Sequence, residues 1–483
     1  MIERQENDTA MSITESLGIQ GWRHLDPAVL AALATEMPLL LVGPHGTAKT
    51  ELVKRLGKAL GLEMRHYNAS LINYDDLVGI PMPKEGSQYL EFRHTPGSIW
   101  DAEFVFFDEV SRCRPDLQNK MFPIVHERTV AGIELEKLRF RWGAMNPPMP
   151  EDADLTEHDL YFGSEPLDPA LIDRFPFILT APLWRDLTRE QRRDLVSGKT
   201  PAASMPRQIP TLPWLVDMVE DCRMLIEELR LDLSEWLSDY TVSVVDLLEQ
   251  AKLTVSSRRA VMMFEALLGI HAARMLLEGA DCDLESSAEF TLLYCMPYTA
   301  TPFPVKTAKL IAIHKQAWQI ASLPEDDPGR LVLEELDPAK RIVLADQLNM
   351  SDSDVSQLIT QALGSEQNEA RRIGLATVIY LAFHRRRNLA PSAWDPLMQL
   401  AARVLTPRTA SVQLRAGAVT DIWNEINGWL VPLEDCGAVT SRLERNFVLS
   451  GFPDLWLRYD WKEELRKFQQ DLGLFNLKDG RDL

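Results

Sequence analysis

The stretch LLLVGPHGTAKTELVKRL, Leu39 to Leu56, constrains the fold more than any other. Apolar residues in a row end in a glycine-bearing turn, and a Lys-Thr pair opens a helical period. One local arrangement satisfies all three parts: a buried strand, a tight loop and a helix. Gly43, Pro44, His45, Gly46, Thr47, Ala48, Lys49 and Thr50 fit the phosphate-loop pattern with one departure, Ala48 where a Gly usually precedes the Lys. Such a loop turns successive N–H groups toward phosphate oxygens at the start of a helix. Lys49 is expected to reach the β- and γ-phosphates, and the Thr50 hydroxyl to help hold Mg2+. Gly43 and Gly46 supply permissive backbone. Ala48 is expected to need only a helical conformation, and His45 reads as a tolerated, partly exposed position.

A second motif lies downstream. In FVFFDEV, Phe104 to Val110, Asp108 follows four apolar residues and so falls at the C-terminal tip of a buried strand. Ligands sit at such tips in open parallel sheets. Asp108 suits the Mg2+ shell, and Glu109 suits a base that orients an attacking water; a solvated acidic turn is the plainer alternative. GAMNPP places Asn146 at the end of another strand, within reach of the same water and the γ-phosphate, although an Asn before Pro also makes ordinary turns. LDPALIDRF offers Arg174 just before a further strand, placed to serve a neighbour's γ-phosphate as an arginine finger. A surface pairing with Asp173 or Asp168 would account for it more simply.

LDPAVLAALATEMP, Leu25 to Pro38, reads as a helix capped by Asp26 with Pro27 in its first turn. LRFRWGAMN (Leu138 to Asn146) and FPFILTAP (Phe175 to Pro182) read as strands beside the two already named. Strands interleaved with helices point to an α/β fold, a parallel sheet with helices on both faces. Beyond about residue 205 the strand signals fade. IPTLPWLVDMVEDCRMLIEELRLDLSEWLSDYTVSVVDLLEQAK and SSRRAVMMFEALLGIHAARMLLEG are helical in period, the second ending at Gly279 as a C-terminal cap. TATPFPVK marks a boundary, and residues after it form an all-helical region with a capping box at Ser351 and Asp354. The divisions are residues 1–24, a loose arm; 25–204, the α/β nucleotide-binding part; 205–298, a helical lid; and 299–483, a helical C-terminal domain.

Charge and cysteine usage narrow the function classes. The net charge of −20 repels a polyphosphate backbone, so nucleic acid is not an expected partner. The modest basic cluster of Arg371, Arg372 and HRRR (His384 to Arg387) reads as a solvated helix face, or next as a protein contact. Five scattered cysteines without a CxxC pair argue against a disulfide framework or zinc site. His126 and Glu127 lack a second His at ligand spacing and read as leading into a hairpin. No apolar run of membrane-spanning length free of charge occurs, and the N-terminus is polar and acidic, so a reducing, cytoplasmic setting is expected. The tail FPDLWLRYDWKEELRKFQQDLGLFNL, with aromatics at helical spacing, is expected to pack on its own domain, with a docking surface as the sharper reading.

Taken together, the motifs resemble the MoxR family of AAA+ ATPases over about residues 25–280. GPHGTAKT is similar to that family's phosphate loop, and NASLINYDDLVGIPMP to its segment after the second strand. FFDEVSRCRPDLQNKMFPIVHERTVAGIEL, AMNPP and PALIDRF are similar to its second strand motif, sensor and finger. The resemblance implies an AAA+ core, a helical lid and assembly into a homo-oligomeric ring of six subunits. It assigns Glu109 as catalytic base, Asn146 as sensor one and Arg174 as a finger acting in trans. It also maps inserts near Asp76 to Ser98 and Arg128 to Leu135, which in the family line the pore or contact partners. Sensor two falls in SSRRA, at Arg258 first and Arg259 as the other choice.

The implied function is hydrolysis of ATP with Mg2+ to remodel a protein client, in this family a von Willebrand A domain protein. Two other classes compete: a nucleic-acid-directed or defence motor of the same superfamily, and a nucleotide-binding scaffold with little hydrolysis. The acidic charge weighs against the first, and Glu109 with Arg174 against the second. Nothing in the sequence reads the base, so ATP over GTP rests on the resemblance.

Overall fold

A computed structural model describes residues 12–83, 90–148, 167–197, 210–303, 305–335, 337–406, 418–431 and 439–477. Five strands form one parallel sheet: β1 (Leu39–Val42), β2 (Met64–Asn68), β5 (Phe104–Asp108), β8 (Phe140–Met145) and β9 (Phe177–Thr180), in the order β2-β5-β8-β1-β9. Between them lie two antiparallel hairpins, β3 (Ile80–Pro83) with β4 (Leu90–Arg93) and β6 (Thr129–Val130) with β7 (Ile133–Glu134). They fall on the two segments where inserts are expected. The central strands β1 and β8 are buried along their whole length. Helices cover both faces of a sheet of this kind, so its inner strands are largely apolar, although β8 carries the buried Arg141. β2 is an edge strand, and only Tyr67 of its five residues is buried. Its sequence MRHYN therefore carries no apolar run, and residue-by-residue reading passes over it.

The register brings the strand tips level. Leu39 to Val42 pair with Trp142 to Met145 on one side and Phe177 to Thr180 on the other, while Asn68 pairs with Asp108. The C-terminal ends of β1, β5 and β8 thus open on the same edge, where the loop after β1 leads into the helix Lys49–Ala59.

Residues 12–25 are not a loose arm. Ile13, Leu17, Trp22 and Leu25 are buried, and a helical turn, Ile13–Ser16, is locked to the helix Asp26–Ala34. The carboxylate of Asp26 accepts hydrogen bonds from the Ser12 hydroxyl (2.6 Å) and from the N–H groups of Ile13 (2.9 Å) and Thr14 (3.1 Å). Asp26 is the first residue of its own helix, and its carboxylate satisfies the preceding turn rather than the helix it begins. That corrects its reading as the cap: the open N–H groups nearest its oxygens belong to a different helix start.

Two long helices follow the sheet, Pro213–Gln250 and Ser257–Glu278, then Leu284–Tyr294 and Thr307–Ala321. Ser257–Glu278 is the one described helix long and apolar enough to cross a membrane. Its buried stretch, Ala266 to Ala273, packs in the protein core against Asp26–Ala34 and Pro213–Gln250. Thr307–Ala321 packs on Pro213–Gln250: the Tyr240 hydroxyl meets His314 Nδ1 at 2.8 Å, and Trp236 meets Trp318 edge-on with ring centroids 4.5 Å apart. The first compact unit therefore runs to Ala321, past the boundary at residue 299 drawn from the sequence.

The second unit, Ser322–Leu483, is helical throughout its described residues. Ile373, Phe383, Phe447, Trp456 and Phe468 build its core. Trp461 and Phe468 of the last helix are buried there, as the packing reading of the tail requires. Ser351 caps its helix as expected: its Oγ accepts the Asp354 N–H at 3.2 Å, and the Asp354 carboxylate accepts the Ser351 hydroxyl at 2.6 Å. The basic cluster is not a free solvated face. Arg387 bridges Asp346 (2.7 Å) and Asp352 (3.0 Å), Arg386 joins Asp346, and Arg371 grips Asp471.

Candidate nucleotide-binding site

The loop between β1 and the helix Lys49–Ala59 forms a bowl because its backbone turns twice through the left-handed region. Gly46 has φ +81°, and Ala48 has φ 64°, ψ 14°. The second value corrects the expectation that Ala48 needs only a helical conformation. It holds the conformation for which glycine is the unstrained choice, at a cost of about 1–2 kcal/mol for an L-residue. Gly43 is required for another reason: a Cβ there would sit 2.6 Å from that of Ala181, at the end of β9. Trp22, buried in the N-terminal segment, donates from Nε1 to the Thr47 carbonyl at 3.2 Å and so braces the loop from behind.

A cavity of ≈ 310 Å³ opens in front of the loop, lined by the stretch His45 to Glu51 and by Asp108, Glu109, Met145 and Asn146. The loop, the tip of β5 and the tip of β8 therefore converge there. Gly43 and Pro44 form the wall behind, where their carbonyls accept the Lys49 ammonium at 2.6 and 2.9 Å. Lys49 is buried, and burial lowers its pKa to about 8 although Asp108 and Glu109 oppose the shift. A buried ammonium near neutrality is a group that an anion in the cavity would stabilise in its charged form.

Thr50 donates from Oγ1 to Asp108 Oδ2 at 2.6 Å. Burial works to raise the Asp108 carboxyl, yet hydrogen bonds from His66, Thr50 and the Glu109 N–H hold it below the usual carboxylate range. It stays an anion. A hydroxyl and a carboxylate in contact, facing a polar cavity, are the hard oxygen donors that Mg2+ takes. Glu109 follows with φ 55° and ψ 41°, a strained position for a residue with a side chain. Its carboxylate is reached by Ser70 Oγ at 3.4 Å and Arg112 at 3.7 Å.

His66, Ser70, Arg112 and Trp22 are absent from the sequence-derived set. His66 Nε2 lies 3.4 Å from Asp108 Oδ2, with its ring stacked on Phe106. Recognising β2 as the neighbour of β5 would have brought His66 into view, while Trp22 carries no local signal.

Arg174 and Arg258 do not line this cavity. Arg174 follows the helical turn Pro169–Ile172, donates to the Ala170 carbonyl and lies over the Phe122 ring, 4.7 Å from its centroid. Arg258 is half-exposed, with Asp173 at 3.7 Å. Arg259 is buried and donates to main-chain carbonyls. His126 also lies on this side, its pKa lowered by burial and by the charges of Arg258 and Arg174. Among the described residues no cluster suited to a metal ion formed by His, Cys, Asp and Glu occurs.

Residues 38–175 match the family model of the AAA domain, dynein-related subfamily. The chain carries an AAA domain. The matched span runs from β1 through the turn before β9, so it contains the loop, Asp108, Glu109, Asn146 and Arg174. No curated protein matches the chain. Among solved structures it is similar to that of a putative ATPase from Cytophaga hutchinsonii, at 16% identity and a TM-score of 0.43, over 63% of this chain and 91% of that one. The α/β core of this AAA domain and the helical region beyond it agree with the fold class expected from the sequence.

Proposed function

We propose that the protein is a MoxR-type AAA+ ATPase that hydrolyses ATP with Mg2+ in a six-membered ring of its own copies, and uses the cycle to remodel a protein client. The observation that carries this is the convergence of a buried Lys49, the Thr50–Asp108 pair and Glu109 on one cavity at the sheet's C-terminal edge. Lys49 and the loop N–H groups bind the β- and γ-phosphates. Thr50 and Asp108 would hold Mg2+, which supplies charge neutralisation on the phosphate oxygens when bound. Glu109 orients a water and takes its proton, and Asn146 at the tip of β8 steadies that water.

Arg174 does not line this cavity, and in this reading its guanidinium serves the cavity of the adjacent subunit. ATP then bridges two protomers. Because ATP and ADP differ in affinity for the closed arrangement, turnover shifts the shape equilibrium of the ring and so moves the client. A von Willebrand A domain protein is the client class that the family resemblance suggests. The helical unit Ser322–Leu483 is the candidate for selecting it, and a cytoplasmic setting fits this role.

Two variants test the reading. Glu109→Gln should keep ATP affinity and lose hydrolysis, because it removes the base and leaves the phosphate contacts. Lys49→Ala should lose ATP binding. Unchanged turnover in the first, or unchanged affinity in the second, contradicts the assignment.

A further inference from the structure

The turn that carries Arg174 is held from both sides by one side chain. Arg259, in the first turn of the helix Ser257–Glu278, donates from Nη2 to the Ile172 carbonyl at 2.8 Å and from Nη1 to the Phe175 carbonyl at 2.6 Å. These carbonyls flank Arg174. Nη1 also reaches the Cys295 carbonyl at 3.2 Å, and Nε lies 3.6 Å from Asp173 Oδ1. Asp173, the residue before Arg174, receives the Ser256 hydroxyl at 2.9 and 2.8 Å and has Arg258 at 3.7 Å. Ser256 is the N-cap of the same helix and accepts the Arg259 N–H at 3.0 Å. The start of this lid helix and the Arg174 turn are thus bolted together by a planar fork and a shared carboxylate.

Removing a guanidinium from water is expensive, and Arg259 is only 1% exposed. Packing alone does not call for it, since an apolar residue would fill the space without that cost. What a guanidinium adds is direction: its rigid donors fix carbonyls in space as neither an apolar side chain nor a lysine can.

We infer that Arg259 is a positioning residue for hydrolysis in the neighbouring subunit: it fixes the Ile172–Phe175 turn that presents Arg174 and makes that turn follow the lid helix. This rests on the reading of Arg174 as a finger acting in trans. Its consequence is that lid movement in one protomer re-aims the cation serving the next protomer's ATP. Arg259 and Arg258 then act through the finger turn and not on the nucleotide of their own chain.

The test uses full-length subunits mixed in pairs. Arg259→Lys should bind ATP within about twofold of the parent, because its own cavity is intact, while turnover falls about 10²-fold from the misplaced finger. Mixed with Glu109→Gln subunits, which supply a sound finger, Arg259→Lys should recover turnover. Mixed with Arg174→Ala subunits it should not, since both lack the same half-site. The double variant Arg174→Ala/Arg259→Lys should be no slower than Arg174→Ala alone. Full turnover in Arg259→Lys overturns the inference, as does a further loss in the double variant. Failure of Arg259→Lys to recover beside Glu109→Gln, when Arg174→Ala does recover, also overturns it. Failure of Arg174→Ala itself to recover beside Glu109→Gln removes the finger reading instead. If Arg259→Lys does not fold, Ser256→Ala, which frees Asp173 at the partly exposed end of the clasp, goes through the same pairings with the same expected pattern.

Discussion

Replacing Ala48 with glycine should stabilise the phosphate loop, although it removes a methyl group from a helix start. Ala48 has φ 64°, ψ 14°, where an L-residue is strained by about 1–2 kcal/mol. Glycine relieves that strain but gives the unfolded chain more freedom, worth about 0.4–1 kcal/mol in the other direction. The difference leaves a net gain of about 0.5–1 kcal/mol. Gly46 supplies the mirror experiment. It has φ +81°, and a Cβ built there meets nothing within 4 Å, so Gly46→Ala adds strain without a clash. Its expected effect is a loss of similar size. The Leu52 N–H donates to the Ala48 carbonyl at 2.9 Å and reports opening of this turn. Amide exchange at Leu52, measured without nucleotide, should slow by about two- to fivefold in Ala48→Gly and quicken by a like factor in Gly46→Ala. No change in either variant, or slower exchange in Gly46→Ala, would refute the strain argument.

Other perturbations follow from the same geometry. Arg174→Ala should lower turnover by about 10³-fold while leaving the melting temperature of the isolated chain in place, as expected for a finger that serves another subunit; a loss of less than about tenfold in steady-state hydrolysis would rule that role out. Glu36 accepts from Arg139 at 2.8 Å and from Arg128 and Arg223 at 3.1 Å each. Burial works to raise its carboxyl, yet these three arginines hold it below the usual carboxylate range. A depressed carboxylate contributes stability above its unfolded pKa and loses it as pH falls through the folded value. Glu36→Gln should therefore lower the melting temperature near neutral pH and flatten its fall below about pH 4.5; parallel curves for parent and variant would contradict this.

The legible part of the molecule is the part written in contiguous residues. Apolar runs of four announce β1 and β5, shorter apolar stretches mark β8 and β9, and the loop and the Asp108–Glu109 pair follow directly from the first two. What escapes is set by partners distant in sequence. β2 is an edge strand whose polar residues make no run, and His66 escapes with it. Asp26 looks like a cap from its position before a helix, but its oxygens are taken by residues 12–14. Ala48 looks helical because a helix begins beside it, whereas the loop closes only through a left-handed step. The SSRRA string shows two arginines, but not that the second is buried against the Ile172–Phe175 turn and the first sits at the surface. The boundary at residue 299 follows from the prolines of TATPFPVK, which interrupt the helices without ending the unit; the aromatic contacts of Thr307–Ala321 continue it to Ala321.

The central claim is that one protomer holds the phosphates and another supplies the cation that completes the site. The most direct measurement is ATP turnover per protomer across a wide range of protein concentration, with mass determined on the same samples. The account predicts negligible turnover where the chain is monomeric and a steep rise as assemblies form. Full turnover per protomer in samples that remain monomeric with ATP present would contradict it.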